Sequence, residues 1–211
     1  MNSGSKTKTM VTAAMLVAVG SILSVFPKFN GIWPNGGSIT FCSMLPIVMV
    51  SYLYGLKWGF MASGAFSIIQ MMGDLRGIAG MDATTTFLVL LIDYVIAFSV
   101  LALGGIFRGK MGDPAKELSI GCVFAIFLRL AAHFVSGYLL YSDYAEWFFT
   151  QEGFTLGNSI FATLGNGTPL FLLYSFMYNA SYLIPEMIIT GTVAYIIGKQ
   201  DFFRKLTEDR K

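Results

Sequence analysis

Four ionisable side chains interrupt otherwise apolar runs of the chain: Asp93, Arg129, His133 and Glu186. An uncompensated charge at the centre of a bilayer costs about 3 kcal/mol or more, so such groups face the protein interior and mark functional sites. A carboxylate accepts hydrogen bonds from an amine, and an imidazole recognises ring nitrogens and amino groups. These residue types predict a polar ligand-binding site inside a bundle of membrane helices.

Counting along the runs brings three polar groups to one depth. Asp93 lies six residues from the outer end of its run, and His133 lies eight residues from Tyr141. Asn179 follows the start of its own run by nine residues. At 1.5 Å per residue, all three lie roughly 9–14 Å below the predicted outer surface. We therefore expect a ligand pocket in the outer half of the bundle, open to the outside.

The segment "RLAAHFVSGYLLY" places Arg129, His133, Gly137 and Tyr141 four residues apart, on one helical stripe. Gly137 is predicted to leave room beside the histidine, where a flat ligand could pack. The alternative is structural: a glycine that lets two helices touch and a histidine paired with Asp93.

The segment "LFLLYSFMYNASYLIPE" places Tyr174, Tyr178, Tyr182 and Glu186 on a second stripe, with Asn179 beside it. Electron-rich rings attract a cation over their faces. Together with Asp93, these residues favour a planar, cationic, amine-bearing heterocycle as the ligand. Deeper in the membrane, Arg129 and Glu186 are predicted either to form a buried structural pair or to couple binding to movement.

The elements that hold these residues are predicted to be membrane helices. Of the 211 residues, 55% are hydrophobic and 12% are charged, against about 25% charged in a soluble domain. A soluble all-helical protein would need charged helix faces, which these segments lack. We predict a single all-α integral membrane domain, residues 1–211, with spans at 10–26, 38–54, 58–73, 87–107, 118–141 and 170–198.

The distribution of lysine and arginine sets the predicted orientation. Eleven of the 14 fall on the side that holds both termini, whereas Lys28 and Arg76 fall on the other side and Arg129 lies within a span. Positive residues mark the cytoplasmic side, so both termini are predicted to be cytoplasmic. The basic tail is then a topology signal, and we expect no nucleic-acid partner.

Other chemistries find little support. Cys42 and Cys122 lie inside spans, where cysteine is usually a small buried hydrophobe, and a single histidine does not suggest a metal site. The stretch "GGIFRGKM" resembles a phosphate-binding loop but has Met111 where Ser or Thr would bind magnesium. We predict no catalytic residue, no cofactor and no ATP hydrolysis by this chain. An intramembrane enzyme using Asp93 and His133 would lack an accompanying nucleophile or metal.

The loops on the predicted outer side are long and contain apolar patches. They suggest either a lid over the ligand or ordinary loop variation, and a short helix is expected near Ser159–Leu164. Trp33 is the exposed aromatic residue of the first such loop.

The segments "GSITFCSMLPIVMVSYLYGLKWG", "LLIDYVIAFSVLALGGIF", "HFVSG" and "LLYSFMYNASYLIPE" together resemble the ThiT family, the thiamine-specific S components of energy-coupling factor (ECF) transporters. The resemblance covers nearly the whole chain, in order. It implies a six-helix S-component fold in a bacterial plasma membrane that captures thiamine outside. It also implies partners: a membrane-coupling subunit and two ATP-binding subunits that drive release inside.

The resemblance also implies site residues. In this chain they are Asp93, Tyr94, His133, Gly137, Tyr141, Tyr174, Asn179 and Trp33 for the ligand, with Ala14 and Ala18 on the first helix facing the coupling subunit.

Two positions depart from the family pattern. Asp93 stands where glutamate is usual, and Tyr141 stands where tryptophan is usual. A thiamine precursor or another flat vitamin therefore remains an alternative ligand. A stand-alone proton-coupled transporter, using Asp93 and His133 as a relay, remains an alternative mechanism.

Overall fold

The structure, a computed structural model, describes residues 3–26, 28–30, 37–74 and 79–208, and it is built almost wholly of helices. The described elements, in chain order, are α1 (Ser3–Val25), β1 (Lys28–Asn30), β2 (Ser38–Thr40), α2 (Leu45–Tyr54), α3 (Leu56–Asp74), α4 (Ala83–Phe107), α5 (Pro114–Leu140), α6 (Ala145–Phe149), α7 (Thr155–Leu164), α8 (Thr168–Lys199) and α9 (Asp201–Glu208). The predicted all-α class is confirmed.

Four of the described helices, α1, α4, α5 and α8, are long and apolar enough to cross a membrane by length and composition. Helix α2 has only 10 residues and spans about 15 Å, half of a bilayer core. The chain is thus a membrane protein, whereas the count of six crossings and the cytoplasmic termini stay predictions.

The predicted second span, residues 38–54, begins too early. Residues Ser38–Thr40 form β2, which pairs antiparallel with β1 so that Phe29 lies opposite Ile39. The helix starts only at Leu45, with proline in its first turn, where the missing amide hydrogen costs no hydrogen bond. A short apolar run shows no periodicity that distinguishes a strand from a helix. The prediction therefore joined the strand and the helix into one span.

The break between α2 and α3 is a single residue. Gly55 has φ +91°, a backbone conformation that side chains disfavour, and its amide bonds to the Ser51 carbonyl to close α2. The predicted separation of two helices near Gly55–Lys57 is therefore confirmed.

Helix α4 changes geometry along its length. Asp82 caps its start by accepting hydrogen bonds from the amides of Thr84 and Thr85. Its middle, Leu90–Ile96, is π-helical, and its end, Val100–Phe107, is a 3₁₀-helix. A π-helical turn is rare and often lies at a functional site. Asp93 lies at the centre of this turn.

The loop between α4 and α5 folds around one buried carboxylate. Glu117 accepts hydrogen bonds from the amides of Gly109, Met111 and Gly112 at 2.8, 2.9 and 3.1 Å, and from the Tyr52 hydroxyl at 2.7 Å. Converging amides of this kind bind anions. The stretch that resembles a phosphate-binding loop therefore holds a carboxylate of its own chain.

The same end of the bundle carries the C-terminal helix α9. Phe203 is fully buried and stacks on Tyr52 at 5.8 Å between ring centroids. Lys199 donates to Asp113 at 3.1 Å, and this hydrogen bond holds the pKa of the Asp113 carboxyl below its usual range. These contacts join α8, α9 and the start of α5.

Candidate ligand-binding site

A cavity of about 530 Å³ lies between α3, α4, α5, α8 and the strand β2. Seven of the eight predicted ligand residues line it: Asp93, Tyr94, His133, Gly137, Tyr141, Tyr174 and Asn179. The eighth, Trp33, lies outside the described residues. Asp93, His133 and Asn179 thus reach one cavity from three helices, whereas their depth below the outer surface stays a prediction.

Asp93 is held by α5 on both of its oxygens. Oδ1 lies 2.8 Å from His133 Nδ1, and Oδ2 accepts a hydrogen bond from the Ser136 hydroxyl at 2.7 Å. The side chain is 15% exposed. A carboxylate has about four acceptor positions, so the two that remain can accept hydrogen bonds from a ligand in the cavity.

Asn179 braces the contact between α5 and α8. Its amide nitrogen donates to the carbonyls of His133 at 3.1 Å and Ser175 at 2.9 Å, and its oxygen accepts from the Tyr182 hydroxyl at 2.7 Å. Both amide hydrogens are thus committed, leaving one acceptor position on the oxygen. The Asn179 amide can therefore contribute to ligand binding only by accepting a hydrogen bond.

Gly137 lines the cavity, but the room it was predicted to leave is filled by α8. A β-carbon at this position would overlap the Ser175 hydroxyl and lie 3.1 Å from the Asn179 amide nitrogen. The Ser175 hydroxyl in turn donates to the Phe134 carbonyl at 2.6 Å. Gly137 therefore lies in the contact between α5 and α8, and His133 is paired with Asp93, while both residues also line the cavity.

Aromatic rings form much of the cavity wall. Tyr174 and Tyr178 lie 5.8 Å apart between centroids on α8, and Tyr141 lies 6.4 Å from Tyr144. On α4, Tyr94 stacks on Phe98 at 6.3 Å. Rings presented around a carboxylate suit a flat cation.

The long segment after α5 packs over the end of the helix bundle that holds the cavity. The short helix expected near residues 159–164 is present as α7. In the preceding α6, Phe148 lies 5.4 Å from the ring of Tyr174. From the other loop, the Gly37 amide donates to the Tyr178 hydroxyl at 3.2 Å. Described parts of both loops therefore contact the aromatic wall.

The proposed direct pair of Arg129 and Glu186 is not formed within 4.0 Å among the described residues. Arg129 Nε instead donates to His133 Nε2 at 3.2 Å, while the buried Glu186 accepts from the Thr40 hydroxyl. Both side chains nevertheless line the cavity. Counting residues placed Arg129 below the pocket, because it gives the depth of the backbone and does not show how far a long side chain extends along its helix.

Several cavity residues were not singled out from the sequence. Ser136 is the most important, because it holds Asp93. A small hydroxyl in an apolar helix three residues after His133 was the available signal. Tyr144 and Thr40 also line the cavity, but they belong to a loop and a strand where residue counting gives no depth.

Ala14 and Ala18, the predicted partner face, are both exposed on α1. The buried side of that helix carries Ala13 and Val17. Among the described residues, no group of three or more His, Cys, Asp or Glu is placed to hold a metal ion.

Three comparisons relate the chain to known proteins. A family model described as thiamine transporter protein (Thia_YuaJ) matches residues 10–149. The chain is 26% identical over 207 residues to the thiamine transporter ThiT of Bacillus subtilis (strain 168), covering 93% of each protein. Its fold is similar to that of ThiT from Listeria monocytogenes, with a TM-score of 0.65, 18% identity, and coverage of 96% of this chain and 98% of the other.

Proposed function

Because the chain belongs to the thiamine transporter family, we propose that it captures thiamine outside a bacterial plasma membrane as the S component of an ECF importer. In this role it crosses the membrane several times and catalyses no reaction. A membrane-coupling subunit and two ATP-binding subunits supply the energy for release inside.

The observation that carries this proposal is the Asp93 carboxylate in an aromatic-walled cavity. Thiamine joins an aminopyrimidine to a positively charged thiazolium ring. A carboxylate with free acceptor positions binds an amine and opposes a positive charge, and tyrosine rings attract a cation over their faces. His133 and Asn179 belong to this site because His133 holds Asp93 in position and Asn179 braces the helix of His133 against α8.

The size of the cavity supports a ligand of this class. A volume of about 530 Å³ lies within the range of roughly 300–1,000 Å³ that is usual for small-molecule sites.

The direct test is a titration of the purified protein in detergent with thiamine, followed by calorimetry. Parallel titrations use the free aminopyrimidine precursor and riboflavin, an uncharged flat vitamin. We expect thiamine to bind most tightly, because only thiamine carries the fixed positive charge. Tighter binding of the precursor would assign the site to that relative instead, and absence of thiamine binding by well-folded protein would reject the proposal.

Reconstitution separates this role from a stand-alone proton-coupled transporter, which the comparisons do not favour. Vesicles containing the chain alone are expected to bind thiamine but not to accumulate it under a proton gradient. Accumulation by the chain alone would overturn the proposed need for ATP-driven partners.

A further inference from the structure

The single histidine of the chain lies between two groups of opposite charge. On one side, His133 Nδ1 is 2.8 Å from Asp93 Oδ1. On the other side, His133 Nε2 is 3.2 Å from Arg129 Nε. Both ring nitrogens therefore have a hydrogen-bond partner. Few arrangements of protons on the ring satisfy both partners.

The chemistry of the two partners fixes those protons. A guanidinium group has only donors, so Nε2 must accept and can carry no proton. An ionised carboxylate has only acceptors, so Nδ1 must donate to it. The ring is then neutral with its proton on Nδ1. A protonated ring would turn Nε2 into a donor facing another donor, and the bond to Arg129 would be lost.

Arg129 is itself held in place by two other helices. Its Nη1 lies 3.0 Å from the sulfur of Met44, at the start of α2, and its Cζ lies 4.3 Å over the ring of Phe98 on α4. Met44 is fully buried. Since a cation over an aromatic face is favourable, the guanidinium has a defined position from which to act on His133.

The remaining charged and titratable groups around this pair come from each neighbouring helix. From α4 they are Asp93 and Tyr94, and Asp74 at the end of α3 lines the same cavity. The others are Tyr174, Tyr178, Tyr182 and Glu186 from α8, with Tyr141 and Tyr144 directly after α5. Of these, only Asp93 is hydrogen-bonded to the imidazole among the described residues. The carboxylate and Arg129 are thus the two groups that decide where the ring proton lies.

We propose that Arg129 is a positioning residue that holds His133 as the neutral tautomer with its proton on Nδ1, and thereby keeps Asp93 an unneutralised anion. An imidazolium beside Asp93 would cancel its charge and repel a cationic ligand. Arg129 prevents the imidazolium from forming although it is itself a cation. Its N–H donates to Nε2, which leaves no place there for a proton, and its charge lies over the ring of Phe98. The consequence for ligand affinity rests on the proposed function, whereas the assignment of the tautomer does not.

The tautomer is measured directly on ligand-free wild-type protein. With one histidine in the chain, ¹⁵N labelling of histidine gives one pair of ring signals by NMR. We expect a protonated Nδ1 and an unprotonated Nε2 throughout pH 6–8. A proton on Nε2 at pH 7, in either the other tautomer or the imidazolium, would overturn the proposal whether or not the protein binds thiamine.

The consequence for binding is tested with Arg129→Met, which removes both the donor and the charge. The freed Nε2 can then take a proton as the pH falls. Thiamine affinity, divided by the wild-type value at each pH, is expected to fall about tenfold between pH 7.5 and pH 5.5. Dividing by wild type removes the effect of protonating the ligand itself. Arg204→Met, a change of the same kind in α9, is the control and should show no such fall.

A double variant identifies the group that titrates. Arg129→Met combined with His133→Asn should lose the extra pH dependence, because the ring that gained the proton is gone. If the dependence persists, another group such as Glu186 titrates and the proposal fails. Equal pH profiles for Arg129→Met and wild type would also contradict it. If Arg129→Met does not fold, the NMR measurement on wild type alone decides.

Discussion

Both oxygens of the Asp93 carboxylate already accept a hydrogen bond from α5, one from His133 and one from Ser136. The resemblance to the family predicts a longer glutamate at this position, and the shorter aspartate is instead held by these two bonds. The shorter side chain is anchored by two neighbours, so the charge is fixed before a ligand arrives. The carboxylate is already oriented when a ligand binds, so binding loses little side-chain entropy at this residue.

Replacing Asp93 by Asn is expected to weaken thiamine binding by roughly 10- to 100-fold, since a hydrogen bond to a charged group contributes about 1.5–3 kcal/mol. Calorimetric titration measures this change. The control is Asp143→Asn, which alters an exposed acid of the adjacent loop. A similar loss in both variants would point to general charge steering, and unchanged affinity in Asp93→Asn would remove Asp93 from the site.

The sequence predicted which residues meet in the cavity better than it predicted what they do there. Depth counting works for Asp93, His133 and Asn179 because a helix advances by a constant rise per residue. It cannot show that both hydrogens of the Asn179 amide are bound to carbonyls of two helices. Hydrogen-bond partners depend on the rotation and spacing of helices, which periodicity alone does not specify.

Helices α5 and α8 are in close contact where Gly137 faces Ser175. Gly137→Ala is expected to destabilise the protein by about 1–3 kcal/mol, the usual cost of overpacking, and to lower the thermal unfolding midpoint in detergent. The matched control is Gly64→Ala on α3, where an added β-carbon meets no atom within 4 Å and alanine favours the helix.

The contact between Gly137 and Ser175 also allows a test of why Gly137→Ala destabilises the protein. Adding Ser175→Ala removes the hydroxyl that the new methyl group would overlap, so the double variant should recover part of the lost stability. If the two changes are simply additive, the destabilisation by Gly137→Ala has another origin.

The buried Glu117 organises the loop between α4 and α5 through four hydrogen bonds. Glu117→Gln places a donor among donors, and we expect a loss of roughly 2–4 kcal/mol in stability. Glu208→Gln, at an exposed position of α9, should change the unfolding midpoint little. Equal midpoints for the two variants would mean that the loop does not depend on the Glu117 charge.

Secondary structure was predictable where helices are long and apolar, as in α5 and α8. It was not predictable at the start of the second span, where Ser38–Thr40 forms a strand. Three residues are too few to show a period, and their pairing with β1 is a contact between separate segments. The π-helical turn of α4 was missed for a similar reason, since one extra residue per turn barely alters the apolar pattern.

At the scale of the whole molecule, the proposed ligand site and the proposed partner surface use different residues. The cavity is lined mainly by α3, α4, α5 and α8, with Ser24 near the end of α1, whereas Ala14 and Ala18 lie on the exposed side of α1. Small residues let helices approach closely, so this side of α1 suits a membrane partner. Capture and energised release should therefore be separable by mutation.

Replacing Ala14 and Ala18 by Leu is expected to leave thiamine affinity within about twofold while abolishing most uptake by cells, because bulky side chains prevent close helix contact. Binding by purified protein and uptake of labelled thiamine measure the two effects. Val11→Leu, at another exposed position of α1, serves as the control. Normal uptake by the double variant would exclude this side of α1 as the partner surface, and a parallel loss of binding would indicate misfolding.

The π-helical turn at Leu90–Ile96 has a consequence for how this chain tolerates insertions and deletions. One residue corresponds to about 100° of rotation in an α-helix. A π-helical turn holds one residue more than an α-helical turn, so deleting one residue within it would restore regular geometry and leave the rest of the helix in nearly the same orientation. A deletion in the helix after the turn would instead rotate everything beyond it, moving Leu101 out of the core. The turn can therefore absorb the loss of one residue, whereas the helix that follows it cannot.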